Sequence, residues 1–97
     1  MTVYVDDMRR PARVGRVEGV WSHLLSDLPG AEGQRELVAF AEGLGLDRAW
    51  LQNAGTPTEH FDVTEPTRQL ALGAGAVPIK YGRAVAALTM AKRARAS

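Results

Sequence analysis

Acidic and histidine side chains recur in the short extended segments of this chain, and small α/β domains often build their sites from such positions. Asp6 and Asp7 close the segment MTVYVDD, His23 lies in VWSHLLSDL, and His60 and Asp62 lie in EHFDV. An imidazole beside a carboxylate suits either a divalent metal ion or an oriented acid–base pair. This spacing is short and common, so it predicts a polar site but indicates no particular reaction.

Extended backbone decides which of these side chains can meet. Residues two apart in a strand share a face, so His60 and Asp62 are expected to point the same way. Asp6 and Asp7 point to opposite sides if the strand persists, so at most one of them joins the pair. Asp62 can instead cap the following helix or hydrogen-bond a loop.

Two interpretations of His23 are open, because its neighbours in the sequence are apolar. It is either a core or interface residue bonded to the backbone, or a site residue that faces Asp6. If His23, His60 and one aspartate converge, the side chains suit zinc, manganese or another divalent ion, and an open coordination position would permit hydrolysis. The chain has no HExxH, P-loop, GxGxxG or GxSxG motif to name another chemistry.

A pocket for a small polar ligand is the other form that such a site can take. Trp21, Trp50 or Phe61 could supply its apolar wall, although Trp50 and Phe61 are also expected in the core of a domain with few aromatic residues. The predicted ligand-binding residues are Asp6, His23, Gln52, His60 and Asp62.

Length and composition indicate one folded domain. The chain has 97 residues, 45% of them hydrophobic and 24% charged, which is ordinary for a globular protein. It has no cysteine, which excludes disulfides and thiolate metal sites. No apolar run approaches a membrane span and no signal region follows Met1, so we expect a cytoplasmic protein without a membrane partner.

Positive charge gathers at the two ends of the chain although the net charge is only +1. Four arginines lie between Arg9 and Arg16, and no acidic residue follows Lys80. These segments could contact another protein, or nucleic acid by displacing counterions from its backbone. The predicted partner or anion contacts are Arg9, Arg10, Arg68, Arg83, Lys92 and Arg93. A solvated tail and a pairing of Arg68 with Glu65 are the plainer alternatives.

Four short strands are expected along the chain. They cover residues 2–6, 20–25, 48–53 and 76–80, the last as an edge strand because Pro78 cannot donate to a ladder. The arginine segment before residue 20 is expected as a loop with a short extended part between Val14 and Val17.

Helical spacing predicts one helix within residues 34–46, with Gly45 at its C-terminal cap. A second helix should run from Glu65 to about Ala74 with Thr64 as N-cap. A third, alanine-rich and basic, should run from Arg83 to about Arg93.

Strands alternating with helices indicate a single small α/β domain, with a mixed sheet of about four short strands and two to three helices. Helical crossovers between the later strands favour parallel pairing there. We expect this domain to span residues 1–80, followed by a basic C-terminal helix or tail over residues 81–97.

Three segments in this order carry a family resemblance: VYVDD, WSHLLSD, and HFDVT followed by an alanine-rich helix that ends in GAV. Over roughly residues 2–80 the chain resembles a small uncharacterised domain family found in actinobacterial and phage proteins. The resemblance implies an α/β fold and no particular activity. The functional expectation is thus a small-ligand or metal-binding accessory domain. One alternative is a protein that binds or modulates a host or phage protein through its basic loop and C-terminal helix, and nucleic-acid binding is the other.

Overall fold

The computed structural model describes residues 2–96 and contains a mixed five-stranded sheet and three α-helices, as the sequence predicted to within one strand. The strands are β1 (Val3–Asp6), β2 (Arg10–Val14), β3 (Val17–Ser26), β4 (Phe61–Thr64) and β5 (Val77–Ile79). The helices are α1 (Gly30–Gly43), α2 (Glu65–Gly73) and α3 (Arg83–Ala96).

Strand β3 organises the sheet because three other strands pair with it. Leu24 pairs with Val5 of β1 and with Phe61 of β4, so β1 and β4 lie on opposite edges of β3, and both pairings are antiparallel. Strand β5 pairs parallel with β1. Parallel pairing of the later strands with each other was therefore wrong: α2 carries the chain from β4 to β5 in the same direction, but the two strands pair with different neighbours.

The arginine segment is a β-hairpin, which corrects the expected loop. Strand β2 pairs antiparallel with β3 over its whole length, and Val14 pairs with Val17 across a two-residue turn. Gly15 begins this turn at φ +61°, a conformation that suits the tight turns of hairpins. All of β2 is exposed, so the hairpin lacked the alternating apolar pattern that marks a half-buried strand.

One face of the sheet carries the apolar core. Its strand residues pack against Leu37 and Ala41 of α1 and Ala71 of α2. The buried core residues on the strands are Val3, Val5, Leu24, Phe61 and Val63. Because side chains alternate along a strand, Asp6, His23 and Asp62 are displayed on the other face.

Helix α1 ends as its sequence indicates. Gly45, at φ +87°, donates its N–H to the carbonyl of Glu42, and Leu46 donates to the carbonyl of Ala41. These two bonds close the last turn and satisfy carbonyls that have no partner within the helix. Thr64 occupies the N-cap of α2, although its hydroxyl makes no capping hydrogen bond.

The strand expected at residues 48–53 is a 3₁₀ turn over Arg48–Trp50. The Asp47 carboxylate accepts the Ala49 N–H at 2.8 Å and so stabilises this turn. Only Gln52 keeps a sheet contact, a single bridge to His60. Trp50 is 58% exposed, so its expected place in the core was wrong, whereas Phe61 is fully buried.

Helix α3 lies on the face of the sheet that carries His23. Its Val85 and Thr89 share a cavity of about 140 Å³ with His23 and His60. Arg95 donates to the carbonyl of Asp27 at 3.4 Å. Within residues 2–96, no helix combines the length and apolarity that crossing a membrane requires.

Candidate functional site

A buried carboxylate forms the base of the site. Asp6 has no solvent exposure, and its Oδ2 lies 2.6 Å from Nδ1 of His23. Its Oδ1 accepts the backbone N–H groups of His23 at 2.9 Å and of Met8 at 3.2 Å. With these partners the carboxylate is fixed, and it fixes the His23 ring in turn.

The same arrangement sets the electrostatics of His23. Its hydrogen bond to Asp6 raises the pKa of His23 above the usual range, and the charges of Asp6 and Asp62 act in the same direction. Partial burial and the charge of Arg10 act against this shift without cancelling it. The site therefore favours a positive charge at Nε2 of His23, whether this is a proton or a metal ion.

His60 is oriented by its own loop. Its Nδ1 lies 2.8 Å from the backbone carbonyl of Thr58, and a carbonyl oxygen can only accept, so Nδ1 carries the proton. In the neutral ring the Nε2 lone pair then points to Asp62, whose Oδ1 is 3.4 Å away. The same argument holds for neutral His23. Its Nδ1 proton is bonded to Asp6, and its Nε2 lies 3.9 Å from Oδ1 of Asp62.

Asp62 lies between the two imidazoles, which face its Oδ1, and Gln52, which bonds to its Oδ2. The Gln52 side-chain amide donates to Oδ2 of Asp62, which leaves Oδ1 for the histidines. The two rings lie edge to face with centroids 5.0 Å apart. The three ligand atoms of His23, His60 and Asp62 lie within 4.8 Å of one another.

A small cation could bind between these three ligand atoms if they moved slightly closer together. Ligands about 2.05 Å from a tetrahedral zinc ion lie roughly 3.3 Å apart. The Nε2 of His60 lies 3.4 Å from Oδ1 of Asp62, close to this value, and the Nε2 of His23 lies 3.9 Å from the same oxygen. The three ligand atoms, which lie within 4.8 Å of one another, would have to draw closer together to complete the coordination.

Strand register explains why residues far apart in the sequence meet. His23 pairs directly with Asp62 across β3 and β4, and His60 lies two residues before Asp62. Across the other edge of β3, the register of β1 places Asp6 beside His23. The structure thus brings all five predicted ligand-binding residues into one cluster, including Gln52.

Two further aspartates, Asp7 and Asp27, lie outside the cluster and bond to backbone groups. Asp7 accepts the backbone N–H of Tyr81 at 2.7 Å, which lowers the pKa of Asp7. Asp27 accepts the backbone N–H of Thr2 at 2.9 Å. Asp62 is no helix cap either, because Thr64 holds that position.

The predicted anion contacts divide into exposed and buried groups. Arg68 is almost completely buried, and its Nε donates to the backbone carbonyl of Asp6 at 2.8 Å, so it supports the site from within. Lys92 is fully buried as well. Arg9 pairs with Glu65 at 3.3 Å. The remaining three, Arg10, Arg83 and Arg93, are exposed.

Sequence reasoning missed two contributors. Tyr81 stacks on His23 with centroids 5.7 Å apart, although it lies beyond the expected domain boundary at residue 80. The Thr58 carbonyl is a backbone group, so no residue type could have indicated it. For Tyr81 the available signal was an aromatic residue directly after the last strand.

An apolar cavity of about 610 Å³ adjoins the cluster, and Gln52 and Asp62 contribute to both. Its aromatic walls are Trp21 and Trp50. Phe61, the third expected wall residue, is instead in the core on the other face.

Comparisons with known proteins place the chain in a family without assigning it an activity. No curated protein and no solved structure matches it significantly. One family model matches residues 3–92, which include every residue of the cluster and most of α3. The chain therefore belongs to the family described as "Protein of unknown function (DUF4031)".

Proposed function

We propose that this protein is a divalent-metal-binding domain whose ligands are Nε2 of His23, Nε2 of His60 and one oxygen of Asp62. One observation carries the proposal: both imidazoles have Nδ1 held by an acceptor, Asp6 or the Thr58 carbonyl, and both direct Nε2 at the same carboxylate oxygen. Metal-binding histidines are typically held in this way by a carboxylate or a backbone carbonyl.

Charge supports a cation in this position. With neutral imidazoles the cluster holds the two carboxylates of Asp6 and Asp62, and Asp6 is completely buried. A divalent ion would neutralise both charges, whereas one proton on His23 would leave a net negative charge. Buried charge is costly unless it is compensated, so the ion stabilises the cluster more than the proton does.

Two imidazoles and one carboxylate suit zinc best among abundant ions, and they suit ferrous iron as well. Gln52 occupies the second oxygen of Asp62, so this residue offers one ligand atom. Three protein ligands leave at least one position for water or a substrate, as in catalytic zinc sites. A metal held there would act as a Lewis acid, with hydrolysis as the simplest reaction.

Zinc titration by isothermal calorimetry of the chelator-treated protein tests this proposal. We expect one ion per chain, and a loss of at least 100-fold in affinity in His60→Gln and in Asp62→Asn, because each removes a direct ligand. Asp47→Asn is the matched control, since Asp47 is an exposed capping residue of the 3₁₀ turn. Absence of binding by zinc and by ferrous iron, or equal affinity in all variants, would contradict the proposal.

A second candidate function rests on the exposed hairpin. Arg10 and Arg16 are exposed and have no ion-pair partner within residues 2–96, while β2 is an edge strand. An acidic segment of a partner protein could add to this edge and meet both arginines. Poly-L-glutamate should then bind wild type and lose most of its affinity for the Arg10→Ala/Arg16→Ala variant. A preference for duplex DNA over this polymer would favour nucleic acid instead.

A further inference from the structure

The cavity beside the cluster gathers apolar side chains that the fold leaves exposed. Val14, Val17 and Trp50 are 48%, 49% and 58% exposed, and all three line this one cavity. Single exposed apolar residues are normal on a protein surface, but a group of them around one concavity marks a binding site. The hairpin supplies the two valines, and the 3₁₀ turn supplies Trp50.

The cavity and the cluster adjoin and share two residues. Asp62 and Gln52 line the cavity, and the hydrogen bond between them forms its border with the histidines. Trp21 lies two residues before His23 on β3, so both side chains are on the same face of the strand. Its indole N–H donates to the carbonyl of Ala12 at 3.0 Å, which fixes this wall.

Size and charge indicate what the cavity would hold. A volume of about 610 Å³ lies within the range of small-molecule pockets and is too small for a folded partner. Two indoles favour a flat apolar body. Arg10 pairs with Trp21 in the hairpin and is close enough to His23 to act on its charge, so it adds positive potential on this side.

We propose that this cavity binds a small organic substrate with a flat apolar body and an oxyanion head, such as a carboxylate, and that the head reaches the open position of the metal. This inference rests on the proposed metal function and extends it to a substrate class. The indoles and the hairpin valines hold the body, and the ion and Arg10 attract the head.

Calorimetry with two naphthalene probes tests the inference on the full chain. We expect naphthalene-2-carboxylate to bind the zinc-loaded protein at least tenfold more tightly than 2-naphthylmethanol, which lacks the oxyanion. Removal of zinc with a chelator should reduce this preference at least severalfold and leave only the contribution of Arg10. Trp50→Ala should lower the affinity for naphthalene-2-carboxylate about tenfold and leave the affinity for zinc unchanged. Leu70→Ala is the matched control, because Leu70 is equally exposed but lies on α2, away from the cavity.

The outcomes separate the two proposals. If zinc binds but neither probe does, or if Trp50→Ala leaves the affinity of naphthalene-2-carboxylate unchanged, the substrate inference is overturned and the metal function stands. If neither zinc nor ferrous iron binds, the metal function fails and the inference fails with it. If Trp50→Ala converts a dimer into a monomer in sedimentation while probe binding is absent, the cavity covers a second copy of the chain instead.

Discussion

Asp6 selects the tautomer of His23, because its buried carboxylate can only accept a hydrogen bond and so keeps the proton on Nδ1. The substitution Asp6→Asn preserves shape, and its carbonyl oxygen can still accept the two backbone N–H groups. Its amide N–H₂ would then face Nδ1 and drive the proton to Nε2, where it blocks the metal. We expect zinc affinity to fall about 10- to 100-fold.

Calorimetric zinc titration of Asp6→Asn checks this expectation, and NMR of the imidazole nitrogens reports the tautomer directly. A variant that keeps the wild-type tautomer and zinc affinity would show that Asp6 has only a structural role. Asp47→Asn again serves as the control for the loss of one negative charge.

Lys92 is a buried cation whose Nζ has no hydrogen-bond partner within residues 2–96. Burial lowers the pKa of Lys92 from its usual value of 10.5, and the nearby charges of Glu59 and Asp27 oppose this only in part. The folded state therefore binds fewer protons than the unfolded state between these two pKa values. The free energy of unfolding should rise over that interval, as the pH approaches 10.5.

Lys92→Met should remove this pH-dependent rise and increase the free energy of unfolding at pH 7 by about 1 kcal/mol or more, because an apolar side chain replaces a poorly compensated charge. Urea denaturation at several pH values measures both effects. Lys80→Met is the control, since the Lys80 side chain is 87% exposed. Destabilisation by Lys92→Met would indicate that the attraction to Glu59 outweighs the cost of burial.

Helix α1 depends on the absence of a side chain at Gly33. A Cβ atom there would lie 1.9 Å from the carbonyl oxygen of Leu28, in the segment that leads into the helix. Gly33→Ala should therefore lower the free energy of unfolding by roughly 1–3 kcal/mol.

Gly43→Ala in the same helix is the matched comparison. Nothing lies within 4 Å of a Cβ atom at this position, so the higher helix propensity of alanine should add roughly 0.5–1 kcal/mol. Thermal denaturation of the two variants should shift in opposite directions. A shift in the same direction would mean that crowding at Leu28 does not limit the helix.

The sequence predicted the helices whose bounds depend on apolar spacing and capping residues. Apolar spacing and Gly45 indicated α1 and its end, and Thr64 and Pro66 marked the start of α2. The hairpin was missed because its exposed β2 has no buried face to impose a period. The 3₁₀ turn was missed because the capping by Asp47 competes with strand propensity in a segment too short for a pattern.

The residues of the cluster can be proposed from the sequence, but sequence alone does not show that they lie together. His60 and Asp62 share a strand face, which sequence alone can indicate. The meeting of His23 with Asp62 depends on the pairing of β3 with β4, strands separated by a helix and two turns. Such register follows from burial of the whole sheet, so one sequence could not supply it.

Metal binding should stabilise the entire domain, because its ligands join β3 to the segment that contains β4. An ion that binds only the folded chain adds about 2.7 kcal/mol at a free concentration 100 times its Kd. For a domain of this size that increment raises the Tm by roughly 10 °C or more. Thermal scans with zinc and with excess chelator measure the difference, and His60→Gln should show none. Equal Tm values for zinc-loaded and chelator-treated wild type would argue against a shared site.

Pro78 lies at the centre of β5, a three-residue strand that pairs with β1 at one end of the sheet. A second chain that tried to extend the sheet there would find a very short template with a missing N–H donor. This end is therefore a poor nucleus for strand-by-strand aggregation. The hairpin strand β2 is a poor template for a different reason: a second copy that paired with it would bring its exposed arginines against their own copies, which repel each other.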